Sequence, residues 1–266
     1  MKSIIIIPAR HASTRYPGKP LAKLRGVAGE EKTLIRRSWE AAMQVGGNSR
    51  VIVATDDDRI YKETKSFGGD VVMTSEQCGN GTERCADAIS RLDESYDIVI
   101  NLQGDAPLTP HWFVEDLIKA LEDNDQIQVA TPVLRCDTEA LTGFMEDREN
   151  GRVGGTTAVF DRSGRALYFS KEVIPFTGKR LGQSDPIPVH HHVGVYAYRP
   201  GALDAYSGMV PGPLEITEGL EQLRFMEHGL PVHCIVVDGR GRAFWELNNP
   251  EDVPRIEAKL AALGIE

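Results

Sequence analysis

Four consecutive isoleucines, Ile4 to Ile7, run directly into Pro8, Ala9 and Arg10. An unbroken run of β-branched apolar residues has no polar face, so it reads as a strand covered on both sides, as in a parallel sheet. Pro8 lacks a backbone donor and is expected to stop the ladder there. The loop that follows leaves the carboxyl end of a central strand, where open α/β sheets place their ligand crevice. It carries Arg10, Arg15 and Lys19, with Pro17, Gly18 and Pro20 fixing its path. Three cations in such a loop suit a polyphosphate. Neither the G-x-x-x-x-G-K-[ST] loop nor the G-x-G-x-x-G fingerprint is present, so the reading rests on the cations themselves.

The rest of the first half alternates strand and helix. Leu34, Ile35, Ser38, Trp39, Ala42 and Met43 share one helical face, and Gly46 and Gly47 close that helix. Arg50 to Thr55 reads as a strand, Asp56 to Phe67 as a helix opened by carboxylates, Asp70 to Met73 as a strand and Thr82 to Leu92 as a helix. Ile98 to Leu102, a helix through Val114 and Leu121, and Val129 to Val133 continue the pattern. Such alternation predicts an α/β fold, a Rossmann-like, mostly parallel sheet with helices on both faces. Between residues 150 and 228 glycines, prolines and short β-rich pieces predict a smaller lobe within a single domain of 1–266. Helices at Ala202 to Tyr206 and Gly219 to His228, a strand at His233 to Val237 and a helix from Pro250 then complete the chain.

A hydrophobic fraction of 41% and a charged fraction of 26% are those of an ordinary globular protein. No apolar run approaches the roughly 20 residues of a membrane span, and the short isoleucine run meeting Pro-Ala-Arg is unlike a signal peptide; a cytoplasmic protein is expected. Cys78, Cys85, Cys136 and Cys234 form no C-x-x-C pair, so reduced thiols are expected. The net charge of -9 opposes nucleic-acid binding and leaves a small substrate as the expected partner.

Asp105 follows a strand through Gln103 and Gly104, and a carboxylate there can hold Mg²⁺ together with phosphate oxygens. The segment Gly79-Asn80-Gly81-Thr82-Glu83-Arg84 precedes a helix, so its backbone amides and the Thr82 hydroxyl suit a base or ribose; turn and cap chemistry accounts for much of the same pattern. His190, His191 and His192 alternate faces on a strand, which favours structure or substrate contact over a metal site. Asn249 before Pro250 is a good helix cap.

The run Pro8-Ala9-Arg10 with Ser13, Arg15 and Gly18-Lys19-Pro20-Leu21 resembles the opening signature of the 3-deoxy-manno-octulosonate cytidylyltransferase (CMP-KDO synthetase) family. Four further blocks match in order: Val53 to Asp57, Gly81 to Arg84, Asn101 to Asp105, and Leu220 to Arg224. The resemblance implies a nucleotidyltransferase that joins CTP to an acidic ulosonic sugar for lipopolysaccharide biosynthesis, and a homodimer formed through the second lobe. It implies Arg10, Arg15, Lys19 and Asp105 as catalytic groups. Ala9, Arg10, Lys19, Thr74, Asn80, Thr82 and Gln103 would bind nucleotide. His192, Tyr196, Glu221 and Gln222 would bind sugar, and Asp105 and Asn248 would hold magnesium.

Three positions depart from the family pattern. Asn248 stands where an aspartate is usual, Thr157 where a lysine is usual, and Lys171 where an arginine is usual. Lysine does not reproduce the bidentate grip of arginine on a carboxylate. Two alternatives therefore stand beside transfer to KDO: transfer to another acidic sugar, such as 8-amino-KDO or a sialic-acid-like substrate, and a nucleotide-sugar binding protein that has lost turnover.

Overall fold

The computed structural model describes residues 1–12, 16–47, 49–152, 155–177, 187–242, 246–247 and 249–266. The chain divides into two compact units, one of residues 1–118 with 239–266 and one of 119–238.

In the first unit, β1 (Ser3–Ala9) leads through a short hairpin, β2 (Lys23–Arg25) and β3 (Glu31–Thr33), to helix α1 (Leu34–Ala42). Then come β4 (Arg50–Thr55), α2 (Asp58–Ser66), β5 (Asp70–Met73), α3 (Gly81–Ser90), β6 (Ile98–Leu102) and α4 (His111–Asp123), whose later turns enter the second unit. The order β5-β4-β1-β6 is parallel throughout, as the alternation predicts. Ile4 to Ile7 are fully buried, as a central parallel strand requires. Pro8 does not end the strand: β1 pairs with β4 through Ala9, whereas its pairing with β6 stops at Ile6. The missing donor breaks the ladder on one edge only. Asp57 caps α2, accepting from the Arg59 and Ile60 amides, and the carboxylate of Asp252 accepts from the Asn249 N–H (2.8 Å) before the last helix, Val253–Ala262. That helix contributes Ile256 and Leu260 to a core with Leu24, Leu34, Leu108 and Leu247.

The second unit contains β7 (Val129–Arg135), α5 (Thr138–Glu149), β8 (Thr156–Phe160), β9 (Ala166–Ser170), β10 (His190–His192), β11 (Val195–Tyr198), α6 (Pro200–Ser207), α7 (Pro213–Glu218), α8 (Gln222–Glu227) and β12 (Val232–Val236). β7 is its central strand, parallel to β12 on one edge and antiparallel to β10 and β11 on the other. β8 then pairs antiparallel with β10 and β9. The segment 150–228 falls wholly within this unit. Two helices depart from the sequence reading. α5 presents only Leu141 as a buried residue, so it has no apolar stripe to reveal it, although Asp137 caps it through the Ala140 N–H (2.7 Å). The helix expected over Gly219 to His228 is α8, confined to Gln222–Glu227, and the unexpected α7 ends just before it, where Gly219 takes a left-handed conformation (φ 63°).

Cys85, Cys136 and Cys234 are buried, and burial pushes the Cys136 thiol up to about 11 and the Cys234 thiol up to about 12. Cys78 is half-buried. A thiolate-reactive reagent should therefore titrate at most one thiol of the four in the native protein and all four in denaturant; two or more fast-reacting native thiols would contradict this packing.

Candidate functional site

The residues of the loop that follows β1 in the first unit are placed by local geometry. Gly18 adopts φ 72°, which only glycine does readily, and a Cβ there would lie 2.9 Å from His11 Nε2. The turn Lys19–Leu21 follows, with Pro20 buried. It delivers Lys19 Nζ to Asp105 Oδ2 at 2.6 Å, with side chains 15% and 24% exposed. Arg10 lies exposed at the end of β1 and donates to the Gly79 carbonyl (3.4 Å). Asp105 is held through its backbone. Its carbonyl accepts from Leu247 N–H (2.9 Å), and the preceding Gly104 carbonyl accepts from Ser38 Oγ (2.9 Å). A Cβ on Gly104 would stand 3.0 Å from the Pro8 carbonyl oxygen, so the two strand ends meet main chain to main chain.

Beside them, α3 begins with reciprocal capping. Asn80 accepts from the Glu83 N–H (2.8 Å), and Glu83 accepts from the Gly79 N–H (2.7 Å). Arg84 is almost fully buried and donates to Asp56 at 2.7 Å and to the Thr74 hydroxyl at 2.7 Å. One guanidinium thus ties the ends of β4 and β5 to α3. Thr82 is buried. A Cβ on Gly81 would fall 2.9 Å from Gln103 Nε2 and 3.3 Å from Asn101 Nδ2. Asn101 is fully buried, and neither of its amide atoms has a hydrogen-bond partner among the described residues. Asp56, Arg84 and Asn101 were not among the site residues read from the sequence. Asn101 leaves a signal there, as a lone polar side chain in an otherwise apolar strand.

The sugar-side candidates lie in the second unit. The Tyr196 hydroxyl donates to Gln222 Oε1 (3.0 Å), and the buried Gln222 Nε2 has no partner among the described residues. His192 packs against Phe169 and Tyr196. The Thr131 hydroxyl lies within hydrogen-bond distance of the Val195 carbonyl (2.8 Å), the Val193 carbonyl (3.2 Å) and His192 Nε2 (2.9 Å). Glu221 accepts the Tyr206 hydroxyl through its carbonyl (3.2 Å). Tyr196 and Gln222 are thus a buried hydrogen-bonded pair, with the His192 ring packed beside Tyr196. Glu215 grips the buried Arg224 through two 2.7 Å hydrogen bonds. Glu218 gathers the Ser170 hydroxyl (2.7 Å) and Lys171 N–H (2.9 Å), while Lys171 Nζ sits against Gly219. Thr157 donates to the Glu172 carbonyl (2.7 Å) and accepts from Ile174 N–H (3.1 Å), so its hydroxyl is engaged on both sides by main chain.

Arg15 and Asn248 lie outside the described residues. Asp105 fits a hard cation, since its Oδ1 takes no hydrogen bond among the described residues and its other oxygen faces only an ammonium.

The cytidylyltransferase family model matches residues 4–233. A protein of Maricaulis maris (strain MCS10) named 3-deoxy-manno-octulosonate cytidylyltransferase is 44% identical over 264 residues, 99% of either chain. The chain belongs to the 3-deoxy-manno-octulosonate cytidylyltransferase family. A relative of the same name from Chlamydia abortus (strain DSM 27085 / S26/3) is 40% identical over 97% of this chain and 94% of its own. Among solved structures of the family, CMP:2-keto-3-deoxy-manno-octonic acid synthetase complexed with CTP superposes with a TM-score of 0.83 at 32% identity, over 99% of this chain and 100% of that one. A cytidylyltransferase from Leptospira borgpetersenii serovar Hardjo-bovis (strain JB197), at 18% identity and a TM-score of 0.58, covers 97% of this chain and 86% of its own and shares the fold.

Burial pushes His192 down to about 3 and His191 down to about 4, from an ordinary value of 6.5. Between those values and 6.5 the unfolded chain binds protons that the folded chain does not, so stability should rise with pH across this window. His192→Gln should flatten that rise by about 1.4 kcal/mol per pH unit at its steepest, read from urea unfolding at a series of acidic pH values. An unchanged slope would show that His192 is protonated in the fold.

Proposed function

We propose that this protein transfers the cytidylyl group of CTP to 3-deoxy-manno-octulosonate, giving CMP-KDO and pyrophosphate. The observation that carries this reading is the full-length match to a relative of that name at 44% identity. The Lys19–Asp105 pair supports it from the chemistry side. In the reaction the anomeric oxygen of the sugar forms a bond to the α-phosphorus while the bond to the β-phosphate oxygen breaks. Pyrophosphate departs and the hydroxyl proton passes to solvent. No covalent enzyme intermediate is required, so catalysis consists of positioning and charge stabilisation.

Lys19 and Arg10 neutralise the triphosphate and the leaving pyrophosphate. Until a phosphate arrives, Lys19 is satisfied by Asp105; when it turns to the phosphates, the carboxylate is released for its own role. Asp105 would hold magnesium, with Asn248 as the second candidate ligand, and that ion would supply positive charge to the phosphates. Gln103, Thr82, Thr74 and Asn80 flank the nucleotide, the last two already fixed by Arg84 and Glu83. In the second unit the unpartnered Gln222 Nε2 offers a donor to an acidic, hydroxyl-rich sugar, with Tyr196 orienting it and Glu221 and His192 alongside. Such a product serves lipopolysaccharide biosynthesis, and a homodimer through residues 150–228 is part of the proposal. No helix among the described residues is long and apolar enough to cross a membrane.

Pyrophosphate release from CTP and magnesium, measured with 3-deoxy-manno-octulosonate and a panel of ulosonic acids, tests the reading. Release should be fastest with that sugar, and Lys19→Ala or Asp105→Ala should lower kcat by about 10²–10³-fold. Release with only another sugar would move the substrate to that acid. CTP binding without release on any sugar would indicate a binding protein, and full turnover in either variant would remove that residue from the mechanism.

A further inference from the structure

The loop that joins β6 to α4 carries Asp105 and lies outside any strand. Its own hydrogen bonds are short turns, Ala106 N–H to the Gln103 carbonyl (3.2 Å) and Thr109 N–H to the Ala106 carbonyl (3.1 Å). Turns of this kind shape a loop, but its place against the sheet has to come from contacts with other segments.

The returning C-terminal segment supplies such contacts at both ends of the loop. Leu247 N–H donates to the Asp105 carbonyl (2.9 Å), and its side chain shares a core with Leu108. At the far end, Trp112 in the first turn of α4 is only 5% exposed and meets two arginines of the same segment. The guanidinium carbon of Arg240 lies 4.5 Å from the ring centre and that of Arg242 4.8 Å. Asp116, one turn further along α4, acts on Arg240 through its charge. All of these residues belong to the first unit.

The backbone of the arginine-bearing turn is unusual. Arg242 N–H donates to the Gly239 carbonyl (2.8 Å), and the two residues between them have positive φ, 46° at Arg240 and 71° at Gly241, as in a type I′ turn. Arg240 is the one non-glycine residue with positive φ among the described residues. A residue held in that region persists where its surroundings over-determine it. Here the surroundings are the Trp112 ring, which attracts both cations of the turn.

We propose that Trp112, Arg240 and Arg242 form a clasp that positions Asp105. The turn at 239–242 is latched to the start of α4, and the segment it leads into holds the Asp105 carbonyl through Leu247. The three act through Asp105 and are positioning residues. The clasp itself is read from these contacts alone, whereas its consequence for turnover rests on the proposed reaction.

Amide hydrogen exchange of the full chain without nucleotide, resolved by NMR, tests the clasp. Arg240→Gln combined with Arg242→Gln removes both cations at exposed positions and should lower protection of the Leu247 amide about tenfold, the worth of two exposed cation–π contacts. Protection at Ile5 and Ile6 of β1 should hold. Arg240→Lys combined with Arg242→Lys keeps a charge over the ring and should restore Leu247. Unchanged Leu247 protection in the glutamine pair, an equal loss at Ile5 and Ile6, or a lysine pair that behaves like the glutamine pair would each overturn the proposal. In pyrophosphate release with 3-deoxy-manno-octulosonate, the glutamine pair should lower kcat about tenfold and leave the KM for CTP nearly unchanged, because Thr74 and Asn80 are held by Arg84 and Glu83 and not by this loop. Full kcat despite lost Leu247 protection would remove the positioning role. A wild-type chain that releases no pyrophosphate with any sugar would count against the reaction, and the exchange result would still decide the clasp.

Discussion

The parallel pairing of β1 with β4 on one edge and β6 on the other sets the position of nearly everything else in the first unit. Parallel strands end at the same side, so Ala9, Asp56 and Gln103 with Asp105 emerge together although they are far apart in sequence. Each strand then needs a crossover to return, and those crossovers supply α1, α2 and α3. Burial on both faces leaves these strands few polar side chains. Asn101 is the one amide buried within them among the described residues, and its Nδ2 lies beside Gly81 at the first turn of α3. The run of isoleucines at the N-terminus is thus the physical condition for the arrangement of groups at the other end of the strand.

Charge is managed in pairs. Arg84 is matched by Asp56, Arg224 by Glu215 and Lys19 by Asp105. Removing one member of a buried pair leaves the other uncompensated, which costs about 3–5 kcal/mol. The three pairs differ in accessibility, however. Arg84 and Arg224 are almost fully buried and join secondary elements permanently, whereas the Lys19–Asp105 pair is partly open to solvent. A pair that can exchange its partners suits a site that receives a charged ligand; one that cannot suits the frame around it. Arg37 belongs to neither kind: its hydrogen bonds go to the Leu24 and Glu30 carbonyls, and Glu40, Glu266, Glu257 and Glu30 act on it only through their charge.

The parallel half of the fold was legible because its signals are local: continuous apolar strands, capped helices and glycine-bearing turns recur at short spacing. Asp57 and Asn249 announce their helices through composition alone. α5 was invisible for the opposite reason, since a helix that buries a single leucine has no periodicity to detect. The boundary between α7 and α8 depends on the sign of one dihedral angle at Gly219, which composition does not report. At the site, Lys19 and Asp105 were legible as chemistry, and their direct contact was not, because a distance across 86 residues is a property of the fold. The roles of Arg84 and Glu218 were hidden similarly. Each acts through partners that only tertiary packing brings within reach.

The contact between Gly104 and the Pro8 carbonyl limits how this protein can diverge. Where a wall is made of side chains, substitution can widen or narrow it in small steps. Here two peptide backbones approach, and a Cβ on Gly104 would stand 3.0 Å from the Pro8 carbonyl oxygen, so a side chain there requires main chain to give way. Point mutation has almost nothing to vary at that position. Variation around the two strand ends is therefore open to side chains that meet other side chains, while any change at Gly104 has to move the peptide bond that Pro8 presents to it.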